Sequence, residues 1–277
     1  MSSPAEQGHG LPEPGDAAAV PWPASRELVF DLGAHRGLDT GFYLAKGFRV
    51  VAVEANPELA RAMEGRFPEA VAEGRLRVEW AAVNDEERPV AFFVNHRHTG
   101  MSSLNPYRGK RGGGHRVEVP GVRLRTLLSR HGVPYYLKVD LEGADDMALE
   151  DLACAPSLPT WLSTEGGDAD TIRLLSSLGY RRFALVDQGR VPRESGRLLE
   201  SEGRPLRWTF EKGASGPFGM DLEQDWQGMD ETMERLQARR ARRLGAIEAH
   251  STDLEEALAA ARSFSWYDLH AGLPTPG

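Results

Sequence analysis

The sequence predicts an α/β fold: a mostly parallel sheet of seven strands between helices, followed by a helical C-terminal extension. Three observations carry this. Short apolar runs end on acids at Leu28 to Asp31, Val50 to Glu54 and Thr160 to Glu165. A unit of run, turn and helix recurs five times, and such repeats can only be wound as a right-handed parallel sheet. Beyond Lys212 the pattern changes to apolar residues at helical spacing.

Taken in order, residues 1 to 24 are rich in Pro, Gly, Ala and Glu without periodicity and read as a disordered leader. Residues 25 to 212 form the main domain and 213 to 277 the extension. The first strand, Leu28-Val29-Phe30, ends on Asp31 and enters a turn containing Gly33 and Gly37. Leu38, Phe42 and Ala45 then mark one face of a helix that Gly47 closes. Val50 to Val53 is the second strand, ending on Glu54, and Asn56-Pro57 supplies an N-cap and a first-turn proline for the next helix.

A nucleotide-sized ligand binds beyond the carboxyl ends of such strands, where glycines let the backbone come close. Glu54 is placed to accept hydrogen bonds from ribose hydroxyls. The dinucleotide fingerprint, Gly-x-Gly-x-x-Gly, is not matched, because the turn reads Asp-x-Gly-x-x-x-Gly. An acid at its mouth fits badly beside a pyrophosphate and well beside an α-amino group. The better ligand is therefore S-adenosylmethionine, with a ribose and an ammonium but no phosphate. Asp31 and Gly33 are expected at its methionine end, with Ala34, His35, Gly37 and Thr40 from the same turn. Glu54, Ala55 and Asn56 are expected at the ribose, and the small residues Ala82 and Val83 leave room for adenine.

Leu76 to Trp80 is a third strand and Val90 to Val94 another. His96 to Arg116, basic and centred on Gly113-Gly114, reads as a mobile loop in which Ser102 and Ser103 could donate to the cofactor carboxylate or to a substrate. Leu124, Leu127 and Leu128 suggest a short helix. The central fourth strand is Tyr135 to Leu141. Period two puts Leu137, Val139 and Leu141 on one face and Lys138, Asp140 and Glu142 on the other, a costly placement unless paired or functional. Ile172, Leu175 and Leu178 mark a helix ending at Gly179. Phe183 to Val186 and Trp208 to Phe210 are expected to complete the sheet as an antiparallel pair.

In the extension, Trp226, Met229, Met233, Leu236, Leu244 and Ile247 share a seam with Arg240. Thr252 and Glu255 form a capping box for a second helix carrying Leu254, Leu258 and Ala261. This apolar stripe must pack on the main domain, covering the site, or on another copy of the chain. Phe264 to His270 is too aromatic for a loose tail and should dock.

Composition narrows the function. The chain of 277 residues is 40% hydrophobic and 27% charged, as in an ordinary soluble protein. A net charge of −8 argues against nucleic acid as the default partner. The single cysteine, Cys154, excludes an intrachain disulfide and suits a reducing compartment. There is no membrane-length apolar run and no secretory signal pattern, so a cytoplasmic protein is expected.

These residues together resemble the FkbM family of S-adenosylmethionine-dependent methyltransferases. The likeness spans most of residues 28 to 186 and rests on FDLGAHRG, VEANP, AAVND, the serine pair of MSSL and above all YLKVDLEGAD. SGPFG and WYDLH resemble C-terminal extensions of some members. The resemblance implies a class I methyltransferase (Rossmann-like) sheet and O-methylation of a sugar, glycoside or other natural-product hydroxyl, so the expected partner is a small hydroxylated acceptor. The family commonly has Asn where this chain has His35.

Methyl transfer from a sulfonium needs nucleophile, methyl carbon and sulfur in line, and a hydroxyl nucleophile needs a base. Asp140 or Glu142 is the expected base, with His35 as competitor, and Lys138 would orient a carboxylate or stabilise an alkoxide. His270 reads as a polar contact of the docked tail. Asp140 and Glu165 end adjacent strands at a spacing that permits a hard divalent ion, although no resident metal is expected. A nicotinamide-dependent oxidoreductase and a non-catalytic cofactor-binding protein are the alternatives.

Overall fold

The computed structural model describes residues 26–109, 114–155, 157–189, 191, 195–249 and 266–274. One sheet is built from β1 (Leu28–Leu32), β2 (Arg49–Glu54), β3 (Leu76–Trp80), β4 (Tyr136–Val139), β5 (Trp161–Glu165), β6 (Arg182–Asp187) and β7 (Tyr267–Gly272). Their order is β6-β7-β5-β4-β1-β2-β3. Neighbours are parallel except at β7, which runs antiparallel to both β6 and β5. This is the seven-stranded class I methyltransferase sheet that the sequence implied.

Helices α1 (Leu38–Ala45), α2 (Pro57–Arg66), α3 (Leu124–His131), α4 (Asp145–Asp151), α5 (Ala169–Leu178) and α6 (Met229–Ala249) cover the two faces. All five residues of β1 are buried, as expected of a parallel strand covered on both sides. Asn56 caps α2 by accepting from the Glu58 amide at 3.0 Å, and Asp168 with Thr171 forms a capping box on α5. Beneath α3, α4 and α5, Phe30, Leu137, Leu162 and Leu269 pack with Leu124, Leu149 and Ile172. On the other face, Val29, Val50 and Tyr136 pack with Phe42, Tyr43 and Phe218.

Phe218 lies flat on Tyr136, with ring centroids 4.0 Å apart. The stretch around it is tied down by a buried ion pair, Lys46 Nζ to Asp221 Oδ2 at 2.9 Å, while the same ammonium donates to the Leu199 carbonyl. Residues 199 to 222 therefore cover the sheet beside α1.

Trp208 to Phe210 does not complete the sheet. Leu206–Arg207 pairs with Leu198–Leu199 in a separate ribbon, and Trp208 and Phe210 pack against Phe42. The seventh strand is Tyr267–Gly272, inserted between β6 and β5. It pairs along all six residues of β6 and five of β5, a ladder far longer than the short ribbon strand could make. Its alternation is complete: Leu269 and Ala271 enter the core under α5, while Asp268 and His270 face the other way. The aromatic tail does dock, as a strand within the sheet.

The basic loop is also partly ordered into secondary structure. His115–Val119 returns antiparallel to Val90–Val94, and Ser103 bridges back to Phe93. In α6 the expected stripe packs only at its start: Leu236 is buried, whereas Leu244 is 59% exposed. The leader at 1–24, Gly113, the capping box of Thr252 and Glu255, the stripe of Leu254, Leu258 and Ala261, and Phe264 and Ser265 lie outside the described residues. Among the described residues no helix is long and apolar enough to cross a membrane.

Candidate active site

The carboxyl ends of the parallel strands open into a cavity of about 290 Å³. At one end Ala81, Ala82, Val83, Phe92 and Leu104 make a flat apolar slot. Next to it stands Glu54, at the tip of β2. Its Oε2 accepts from the His35 amide and its Oε1 from the Asn56 amide, both at 2.7 Å. Burial pushes its carboxyl up to about 7 against the pull of those two amides.

The turn after β1 is held by a shared acceptor, since the amides of Gly33 and Ala34 both donate to the Val53 carbonyl. Gly33 is left-handed at φ 78°, and a Cβ there would lie 1.8 Å from the Asp140 carbonyl oxygen. A Cβ on Gly37 would meet Met63 and Phe67 at 3.0 and 3.1 Å. These glycines thus serve the approach of β1 to β4 and of α1 to α2; the expectation that they keep space clear for the ligand is corrected. His35 (φ 52°) and Glu142 (φ 50°) are the non-glycine residues with left-handed backbone among those described, and both line the cavity. Such strain collects at functional sites. His35 Nε2 lies 2.7 Å from Thr99 Oγ1, and burial followed by the charge of Arg36 lowers the imidazole's proton affinity, leaving it neutral.

The middle of the cavity is dominated by Lys138 on β4. Its Nζ stands 3.2 Å from Asp140 Oδ2, 3.4 Å from Asp31 Oδ1 and 3.6 Å from Asp39 Oδ2. Burial works against the ammonium, but the three carboxylates outweigh it and hold Lys138 well above the ordinary range. Asp39 is pushed up to about 6, chiefly by burial, while Lys138 pulls it back. Asp39 also accepts from the Ser215 amide at 2.9 Å, which fixes the 213–215 segment over the cavity.

The far end is built by Glu165, Gln188, Trp266 and Asp268. Gln188 Nε2 donates to Asp268 Oδ2 at 2.7 Å. Burial, then the nearby Asp140, pushes the Asp268 carboxyl well above the usual carboxylate range. His270, one pleat further along β7, is fully buried and held down to about 3 by desolvation, so it stays neutral.

Of the residues expected from sequence, Gly33, Ala34, His35, Glu54, Ala55, Ala82, Val83, Lys138, Asp140 and Glu142 line this cavity together. Asp31, Gly37, Thr40, Asn56 and Ser103 are not among the lining residues. Asp31 is wholly buried, with Oδ2 accepting from Thr40 Oγ1 at 2.6 Å, so it anchors Lys138 from behind. Asn56 acts through Glu54. Ser103 Oγ is turned away to the Glu142 carbonyl at 2.8 Å, and it is Ser102 that faces the cavity. Sequence reasoning missed Arg36, Asp39, Gln188, Ser215, Trp266 and Asp268. Asp39 alone had a signal, since an acid in the first turn of a helix next to a ligand turn is a candidate; it reads equally as a helix-dipole partner.

Asp140, Glu142 and Glu165 each place a carboxylate oxygen within 4.8 Å of the others, so Glu142 joins the pair anticipated for a hard cation. No other feature points to an ion there, and we assign none.

The family model described as Methyltransferase FkbM domain matches residues 31–182. A search of curated proteins finds no match. Among solved structures the chain is similar to a SAM dependent methyltransferase from Aquifex aeolicus, at 10% identity and TM-score 0.32, over 59% of this chain and 77% of that one. It is similar to the C-terminal domain of precorrin-6Y C5,15-methyltransferase from Rhodobacter capsulatus at 12% identity and TM-score 0.36, over 93% and 84% of the two chains. Similarity to geranyl diphosphate C-methyltransferase from Streptomyces coelicolor A3(2) is 9% at TM-score 0.39, over 93% and 77%.

Proposed function

Because this chain belongs to the FkbM methyltransferase family, we propose that its cavity takes S-adenosylmethionine and passes the methyl group to a hydroxyl of a small acceptor, a sugar, glycoside or other natural-product metabolite. The observation that carries the donor is Glu54. Its carboxylate is clasped by two amides beside an apolar slot, which leaves acceptor capacity for the two hydroxyls of a ribose whose base lies in the slot. Charge supports the same donor. Among the described residues, Asp39, Glu54, Asp140, Glu142, Glu165 and Asp268 line the cavity against Lys138 and Arg36 as full cations. A diphosphate would meet repulsion there, whereas a sulfonium with an ammonium would not.

The donor supplies an electrophilic methyl group; the rest is done by this chain's residues. Glu54 would hold the ribose, Ala82 and Val83 the base, and the Gly33–Ala34–His35 turn the amino-acid end. Lys138 is held between Asp31 behind it and Asp39 and Asp140 on the cavity wall, so the charges facing the sulfonium are fixed in place and need no reorganisation. Much of the rate would come from alignment in this closed space.

Glu54→Gln tests the donor reading by calorimetry. Losing a charged acceptor for hydroxyls costs about 1.5–3 kcal/mol, so donor affinity should fall by roughly 10- to 100-fold. In the wild type, affinity should also fall as pH drops through about 7, because a proton on Glu54 competes with the ribose hydroxyls. The variant should lose that dependence. Unchanged affinity in Glu54→Gln would remove the ribose assignment.

A further inference from the structure

We propose that Asp268, brought into the cavity by the C-terminal strand, is the group that takes the acceptor's proton, and that Trp266 at the start of that strand is the surface on which the acceptor lies. This rests on the donor reading above and extends it to the other half of the cavity.

The first argument is the contrast between carboxylates. Asp31, Asp39 and Asp140 all share Lys138, so each is already paired with a cation. Asp268 has no cation within ion-pairing distance among the described residues. Its side chain is instead held by the neutral amide of Gln188, at 2.7 Å on Oδ2. A carboxylate held by a neutral donor among other acids keeps a proton more strongly than one held by lysine, which is what proton abstraction from a hydroxyl asks of it.

The second argument is position. Asp268 pairs in register with Glu165 at the tip of β5 and lines the cavity at the end remote from the apolar slot and Glu54. It is buried at 7% exposed, and an acid so placed is expensive to keep unless it is paired or functional. Trp266, two residues earlier, also lines the cavity and is 57% exposed, an uncovered aromatic face at the mouth. A ring with an apolar face and hydroxyl edges would cover the indole and present an oxygen to Asp268. In the step itself the acceptor oxygen forms the new C–O bond as the methyl C–S bond breaks. That electron pair stays on sulfur, giving a neutral thioether, and the hydroxyl proton passes to Asp268.

The test needs no acceptor. S-adenosylhomocysteine carries nothing where the transferable methyl sits, whereas sinefungin carries an amine there. Calorimetry on the full chain should find sinefungin bound more tightly than S-adenosylhomocysteine. Asp268→Asn should weaken sinefungin by about tenfold, the loss of one charge-assisted contact, and leave S-adenosylhomocysteine within about twofold. Asp268→Glu should recover most of the preference. Equal weakening of both ligands would assign Asp268 a structural role and overturn the proposal, as would no change in either. If the wild type binds neither ligand, the donor reading itself fails. Should Asp268→Asn not fold, a wild-type crystal with sinefungin decides: its amine within about 3.2 Å of the Asp268 carboxylate supports the assignment, and an amine turned elsewhere removes it.

Discussion

Replacing Lys138 with methionine should destabilise the fold by about 3–5 kcal/mol at neutral pH, the usual consequence of removing one partner from a buried charge cluster. Methionine fills much the same volume, so the loss is one of charge. Lys138 is 3% exposed and is the cation for Asp31, itself wholly buried, and for Asp39 and Asp140. The side chain of Asp140 is about one-third exposed and solvent screens part of its charge, so the two buried acids carry most of the effect. The sign of the pH dependence follows. Without the ammonium, burial raises the folded-state proton affinity of Asp39 further above its unfolded value near 4. Asp39 already stands at about 6 with Lys138 present. The folded variant therefore binds more protons than the unfolded chain, and its stability is lost as pH rises through the raised value. Urea melts of wild type and Lys138→Met should differ most near pH 7.5 and much less at pH 5. A gap independent of pH would mean that packing, not charge, is what Lys138 provides.

Gly33→Ala should cost about 3–4 kcal/mol, from a left-handed backbone that alanine disfavours and from overpacking against a rigid neighbour. The neighbour is backbone: the new Cβ would sit 1.8 Å from the Asp140 carbonyl oxygen. That oxygen cannot retreat easily, because the Asp140 amide is bonded to the Leu32 carbonyl at 3.1 Å and β4 lies in register beside β1. The tips of β1 and β4 would have to part, carrying with them the His35 amide that orients Glu54. Thermal and urea melts should therefore show lost stability, with donor affinity falling with it. Gly65, exposed in α2 with nothing within 4 Å of an added Cβ, is the control. There alanine should stabilise, by up to about 1 kcal/mol through helix propensity. Equal tolerance at both positions would contradict the close approach at Gly33.

How much of this was legible in the sequence depends on how local the cause was. The first βαβ unit and the capped start of α2 are short-range patterns, and they survive intact in the structure; the alternation expected through Glu142 does not, because β4 stops at Val139 and Asp140 and the left-handed Glu142 reach the cavity from the turn beyond it. Glu54 could be placed because a strand end and a helix cap bracket it. The seventh strand was hidden for two reasons. Asp268 and His270 give it a polar face that reads as loop, and its ladder partners lie far away in the chain. The cover over α1 was hidden likewise: Lys46 finds Asp221, and Tyr136 finds Phe218, through no periodicity that a sequence displays. The roles of Asp31 and Ser103 were misread for a related reason. Both carry donors or charges suited to a ligand, and both spend them on neighbours from other elements, Lys138 and the Glu142 carbonyl.

The most direct test of the account is calorimetry of the wild-type chain against S-adenosylmethionine and NAD under the same conditions. The cavity described here should bind S-adenosylmethionine one-to-one, with a dissociation constant in the range of about 1 μM to 1 mM usual for enzymes and their substrates, and give no heat with NAD. Preference for NAD, or no binding of S-adenosylmethionine, would contradict the assignment of the cavity.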